Sequence, residues 1–275
     1  MFVWSTTFVV SKLLMNFMSP YQLMLARFCI SYAVLFLMHP RFYKTDFKSE
    51  IKFLAMGLFG STIYYVGEYT ALSFTSSANV SIIIAAAPIL TAIVAHRFTK
   101  DEKISKGIIL GFLVAFIGVI FVVFNGSVVL RLNPVGDMLA LLSALSWAIY
   151  SVLQKWFLSK MNLFYFNRKV MLYGALSVLP IVLLKGDSWH FEQIANIPSV
   201  LSLMYLGILA SGICYVMWSK AFATLGTVTT NNYLYITPFI SMIAGAVVLD
   251  EIITPMCIFG AVLIVSGVVL AQKVK

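Results

Sequence analysis

The sequence predicts an all-α membrane protein: ten transmembrane helices, arranged as two inverted five-helix repeats. Three observations carry that expectation. Of 275 residues, 61% are hydrophobic and only 11% charged, whereas soluble domains run at roughly a quarter charged. No water-soluble shape of this size has enough polar surface to cover such a composition. Apolar runs recur along the whole chain, and the second half repeats the residue spacing of the first.

The runs cover residues 2–17, 20–38, 51–72, 77–98, 107–125, 135–157, 164–185, 200–222, 229–249 and 255–272. Each is bounded by polar, Pro or Gly residues. A span needs roughly 20 apolar residues, so ten with short connections use about this length. Lipid offers no partner for a free N–H or C=O, so each run must be helical. The first run is short, with about 16 residues before the turn at Ser19-Pro20, below the usual spanning length. It lacks the basic start and small-residue cleavage site of a signal peptide. A chain that starts partway into its first helix is expected, with a short first helix as the alternative.

Charge orients the spans. The net charge of +9 could point to nucleic acid, but the basic residues gather in alternate connections. With a cytoplasmic N-terminus, the inner connections hold Arg41, Lys44, Lys48, Lys52, Arg97, Lys100, Lys103 and Lys106. They also hold Lys155, Lys160, Arg168, Lys169, Lys220, Lys273 and Lys275, against Arg131 and Lys185 outside. Fifteen against two places both termini in the cytoplasm of a multi-pass protein of the cytoplasmic membrane, with no nucleic-acid partner. Cys29, Cys214 and Cys257 lie inside apolar runs without pairing or ligand spacing, so no disulfide or metal is expected.

The halves match in detail, with residues 1–134 as one repeat and 135–275 as the other. Trp4 and Lys12 are eight apart, as are Trp147 and Lys155. A shift of 150 relates Ser61, Tyr65, Ala71 and Pro88 to Ser211, Tyr215, Ala221 and Pro238. A shift of 149 then relates Asp101, Glu102, Gly111 and Gly118 to Asp250, Glu251, Gly260 and Gly267. Five spans per copy is an odd number, so the second copy must enter the bilayer from the other side. Inverted repeats of this kind recur in secondary transporters, with the solute near the midplane.

Several segments carry a resemblance. They are Trp4-Ser5-Thr6-Thr7-Phe8, the stretch from Glu68 to Pro88, Leu206 to Trp218, and Asn231 to Gly267 with its NNYLYITP, LDE and G-x-x-L-I-x-x-G patterns. In order and spacing they resemble the EamA family of the drug/metabolite transporter superfamily, through essentially the whole chain. The resemblance implies ten helices around a central cavity, export or exchange of amino acids, metabolites or drugs, no enzyme activity and no dedicated metal or cofactor.

Glu68 is the sharpest candidate site residue. An ionisable group inside a span is costly and usually faces a cavity or a partner. Helical spacing puts Ser61, Tyr64, Tyr65 and Glu68 on one stripe. The other copy reads Ser211, Tyr215, Trp218, so Trp218 stands where Glu68 does. A carboxylate with aromatic faces around it can hold an amine. An ion pair with Arg27 or Lys12 is the structural alternative, and proton coupling at Glu68 is a further reading. Arg27 could bind a substrate carboxylate, or pair with Glu68 or backbone carbonyls. Lys12 is expected to snorkel to the outer surface.

Asn79, Asn231 and Asn232 open spans four and nine, either as caps and bundle glue or, with Tyr233 and Tyr235, as polar contacts of a mostly apolar pocket. Pro88 and Pro238 interrupt those spans at equivalent points as hinges or as permanent bends. Trp4 and Trp147 read as packing, interface or cavity-wall residues, with Tyr150 and Tyr173 as lesser wall candidates. Glycines 107, 111, 118, 260 and 267 read as close-packing scaffold, and Glu102 and Glu251 as helix-start acids.

These features predict a secondary carrier for an amino acid or a related zwitterion or amine, acting by alternating access on a small-molecule solute in lipid. A cationic drug, a nucleotide-like metabolite or a non-transporting sensor are the alternatives. No G-x-x-x-x-G-K-[ST] motif makes it an ATP-driven pump, and the three histidines form no catalytic motif. A ten-helix double repeat closes its own cavity, so a monomer is expected.

Overall fold

The computed structural model describes residues 1–74, 77–99, 105–124, 133–158, 161–189, 191–249 and 254–273. Among the described residues every regular element is helical. In order these are α1 (Phe2–Leu14), α2 (Pro20–Met38), α3 (Phe47–Gly57), a π turn (Leu58–Ile63), α4 (Tyr64–Phe74), α5 (Ser77–Ile84), α6 (Ala87–Phe98) and α7 (Lys106–Phe124). The second half holds α8 (Pro134–Leu158), α9 (Leu163–Lys185), the short α10 (Phe191–Ile194), α11 (Ile197–Met204), a second π turn (Tyr205–Ile213) and α12 (Cys214–Leu225). It ends with α13 (Thr227–Asn232), a 3-10 turn (Tyr233–Tyr235), α14 (Ile236–Leu249) and α15 (Pro255–Lys273).

Five of these stretches are long and apolar enough to cross a bilayer: Pro20–Met38, Lys106–Phe124, Pro134–Lys155, Leu163–Lys185 and Ile197–Leu225. Ile82–Phe98 and Ile258–Ala271 are shorter apolar helices. The side chains of Lys12, Asn79, Pro238 and Cys257, and residues Asp101, Glu102, Asp250 and Glu251, lie outside what is described.

Local chemistry sets the helix boundaries. Ser19 and Gln22 form a reciprocal capping box, the Gln22 N–H donating to Ser19 Oγ at 3.3 Å and the Ser19 N–H to Gln22 Oε1 at 2.9 Å, with Pro20 in the first turn. Asn162 Oδ1 caps α9, and Gly186, at φ 63°, ends it in a left-handed turn. Pro88 does more than bend its span. Its ring excludes the carbonyl four residues back, at Ile84, and α5 stops there; α6 restarts at Ala87. The other copy loosens at the equivalent place, where the Tyr233–Tyr235 turn precedes α14.

The chain forms two compact units, and each draws on both halves of the sequence. One holds residues 1–5, 63–152 and 225–275; the other holds 6–62 and 153–224. In the first unit, α7 and α15 run antiparallel along a glycine seam. A Cβ on Gly111 would lie 2.5 Å from the Gly267 carbonyl oxygen, and one on Gly118 2.6 Å from that of Gly260. The backbones meet because no side chain stands between them. Ala115, Val119, Val122, Ile264 and Val268 fill the core beside the seam with Tyr235.

In the second unit α2 and α9 also run antiparallel. At one end Gln22 Nε2 donates to the carbonyls of Asp187 and Ser188 at 2.9 and 3.2 Å. At the other, Arg168 donates Nη1 to the His39 carbonyl at 2.9 Å and Nη2 to that of Arg41 at 2.8 Å. Arg168 is buried and lies about 5 Å from the ring centres of Phe36, Phe42 and Tyr165. The third helix joins α9 just as closely, since a Cβ on Gly57 would lie 2.6 Å from the Tyr173 backbone.

Candidate functional site

The first unit gathers an aromatic cluster around Trp147 of α8. Gly67 brings α4 against α8, because a Cβ there would meet Ser143 Oγ and sit 3.1 Å from the Leu139 carbonyl. That approach sets Tyr64, one turn before Glu68, beside Trp147 with ring centres 5.8 Å apart. Tyr64 packs edge-on against Tyr65 at 4.9 Å, and Tyr65 stacks on Tyr69 at 6.1 Å. Trp4 meets Trp147 edge to face at 6.4 Å, so two tryptophans that match in the repeat are neighbours in space. Tyr150, one turn along α8, adds a ring at 5.4 Å from Trp147.

Polar groups are threaded through this apolar cluster. The Tyr64 hydroxyl hydrogen-bonds the half-buried Glu68 carboxyl. Trp147 Nε1 donates to Asn231 Oδ1 at 2.9 Å, and Asn231 Nδ2 donates to the Thr227 carbonyl at 2.9 Å. Asn231 is fully buried, so its amide holds the indole at a set angle. Asn232 and Tyr235 are buried in the same unit. The hydroxyls of Tyr150 and Tyr235 are enclosed and have no hydrogen-bond partner among the described residues. Buried hydroxyls are nearly always paired, which sets these two apart from the paired polar groups of the unit. Among the described residues no group of His, Cys, Asp or Glu side chains could hold a metal.

A family profile now meets this geometry. The sequence pattern of the EamA-like transporter family matches residues 1–124 and again 134–272. The chain belongs to the EamA-like transporter family. An uncharacterised transporter of Archaeoglobus fulgidus is 26% identical over 273 residues, 98% of this chain and 95% of its own length. An Escherichia coli protein named "Probable amino-acid metabolite efflux pump" is 26% identical over 276 residues, 96% of this chain and 89% of its own. A crystal structure of a protein only 20% identical superposes with a TM-score of 0.82, covering 98% of this chain and 94% of that one. The chain is therefore an EamA-type, helical integral membrane protein with transporter relatives.

Within this family fold, the residues expected from sequence fall into two groups. Tyr64, Tyr65, Glu68, Trp147, Asn232 and Tyr235 belong to the first unit with Pro88, and the first four form one cluster. Arg27, Tyr215 and Trp218 belong to the second unit, where Tyr215 and Trp218 are buried and Trp218 packs on Phe222 at 5.2 Å. Ser61 leaves the expected stripe. It sits inside the π turn and faces α9, where a Cβ on Gly174 would lie 2.8 Å from its hydroxyl. A π turn closes bonds five residues apart instead of four, so the register that stacks 61 under 64 and 65 in an α-helix is lost. Tyr173 is also placed elsewhere: its hydroxyl donates to Glu50 near the helix ends.

Sequence reading missed the two π turns, although they end at positions 63 and 213, related by the same shift of 150. A trace was present in Gly60-Ser61-Thr62 and Ser211-Gly212, small residues without strong α-helical preference.

Proposed function

We propose that this EamA-type protein is a secondary transporter that moves an amino acid, or a related zwitterion or amine, across the cytoplasmic membrane by alternating access, in the direction of export or exchange. It performs no covalent chemistry. Its ten spans form two five-helix repeats of opposite orientation, residues 1–134 and 135–275, with both termini cytoplasmic. The antiparallel runs of α7 with α15 and of α2 with α9 support this reading, since each pair joins equivalent helices of the two copies.

One observation carries the choice of solute: a half-buried carboxyl, Glu68, hydrogen-bonded by Tyr64, whose ring lies 5.8 Å from that of Trp147. A carboxylate supplies charge and the rings supply π-faces, which together suit an ammonium group. The hydroxyls of Tyr150 and Tyr235, without a partner among the described residues, are further polar contacts for a solute. An efflux-pump relative named for amino-acid metabolites points the same way. Pro88, where the span breaks between α5 and α6, serves as a hinge in the same unit.

Radiolabelled counterflow in proteoliposomes tests the proposal. Wild type exchanges amino acids or amines across the membrane, and Glu68→Gln loses most of that exchange while Trp147 variants raise KM. Exchange by Glu68→Gln equal to wild type at every pH would remove the carboxyl from the mechanism. Binding without counterflow by wild type would make the protein a sensor.

A further inference from the structure

The second unit carries an ionisable side chain that the amine site leaves unused. Arg27 lies on α2, more than nine-tenths buried, and its Nε donates to Ser211 Oγ at 3.2 Å. Ser211 belongs to the π turn Tyr205–Ile213. A guanidinium has five N–H donors. Here one is engaged, and the Nη1 and Nη2 fork has no partner among the described residues. One turn further along α2, Ser31 is fully buried and its hydroxyl is likewise unpartnered.

Both groups face the same wall. A Cβ on Gly207 would lie 2.5 Å from Ile30 Cγ2, and one on Gly212 3.5 Å from Ser31 Oγ. Small residues in the π turn thus draw it onto α2 between Arg27 and Ser31. A buried guanidinium with an open fork is an expensive arrangement in a membrane protein and has to be answered by an anion or by water. Its parallel N–H bonds match the two oxygens of a carboxylate, and the Ser31 O–H supplies a third donor. One positive charge balances a monoanion; a phosphate dianion would need more basic residues than this turn contains.

We infer that Arg27, Ser31 and Ser211 form a carboxylate-binding subsite in the second unit, which takes the carboxylate of an amino acid. The identity of the ligand rests on the carrier reading; the existence of the subsite does not.

Butanedione labelling of purified full-length protein in detergent, read by peptide mass spectrometry, tests this at Arg27 without needing transport. Pooled amino acids at millimolar concentration are expected to slow Arg27 modification by about threefold or more, by mass action. The matching decarboxylated amines leave it unchanged. Equal labelling in all conditions, equal protection by the amines, or an Arg27 that never reacts each overturns the subsite. Ser31→Ala provides a second reading. It removes only an unpartnered hydroxyl, so the apparent Tm holds while more amino acid is needed to protect Arg27 and the KM for amino acids, though not for amines, rises several-fold. A large fall in Tm, or unchanged protection, would make Ser31 a packing residue and sink the proposal. Should no solute counterflow at all, the carrier reading fails, and protection of Arg27 by carboxylates still decides the subsite.

Discussion

The two units solve the same problem, joining equivalent helices of a duplicated sequence, by different means. In the first, α7 and α15 meet through their backbones at Gly111, Gly118, Gly260 and Gly267. In the second, α2 and α9 meet through polar side chains, with Gln22 binding two carbonyls at one end and Arg168 two at the other. The difference teaches where specificity comes from in lipid. Hydrocarbon gives apolar helices no reason to prefer one another, so association rests on close packing or on hydrogen bonds that lipid cannot replace. One unit uses each.

The largest effect is expected from the polar joint. Arg168→Ala removes two charge-assisted hydrogen bonds and leaves the carbonyls of His39 and Arg41 without their donors. The cost is about 3 kcal/mol or more, read as a fall in apparent Tm in detergent and as faster proteolysis of residues 39–46. A loss smaller than that of the glycine variants below would break the comparison, because the polar contacts would then be incidental to packing.

Next comes the backbone joint. Gly118→Ala places a methyl 2.6 Å from the Gly260 carbonyl oxygen and 2.7 Å from the Ile264 nitrogen. Backbone atoms cannot swing aside, so the helices must part, at a cost of about 1–3 kcal/mol. The control is Gly186→Ala, where the added Cβ meets nothing within 4 Å and only the φ of 63° resists. Thermal unfolding of both variants sharpens the comparison: a cost confined to Gly118 belongs to the seam, and an equal cost at both belongs to glycine backbone freedom.

Much of this was legible from sequence, and the failures have physical reasons. Composition and run length place the helices, and the described ones fall within a few residues of the expected boundaries because caps such as Ser19-Pro20 and Asn162 are local. The spacing of Gly111 and Gly118 announced a packing helix, though not that it would meet Gly260 and Gly267 in reversed order. Tyr64, Glu68 and Trp147 were readable as polar or aromatic intrusions in apolar runs. The π turns left only a faint trace in small residues such as Gly60 and Ser61, since a single extra residue per turn leaves hydrophobic periodicity almost unchanged. Arg168 does more than the sequence shows. Counted among the charges of the inner connections, it is also a buried clasp, and no periodicity separates a solvated arginine from one that will find two carbonyls across a helix pair.

The smallest expected effect concerns the end of the polar joint that lies outside the apolar runs. Glu50, at the start of α3, accepts from Lys169 Nζ at 2.6 Å and from the hydroxyls of Thr45 and Tyr173. Partial burial pushes its carboxyl up, but the hydrogen bonds from Lys169, Thr45 and Tyr173 outweigh that and hold it below its ordinary 4.5. A carboxyl lowered on folding contributes stability that is complete above its unfolded value and lost as pH falls through the folded one. Glu50→Gln is therefore expected to cost about 1 kcal/mol near neutral pH, a modest figure because the pair is partly solvated. The gap between wild type and Glu50→Gln then closes as the pH drops below 4.5. Asp46, lowered by its hydrogen bond with Ser49, titrates in the same direction but is common to both proteins, so the difference in apparent Tm isolates Glu50. A gap that persisted unchanged into acid would mean that Lys169 and Tyr173 hold α3 and α9 together through packing alone, and the contrast between a polar and a backbone joint would then stop at Arg168.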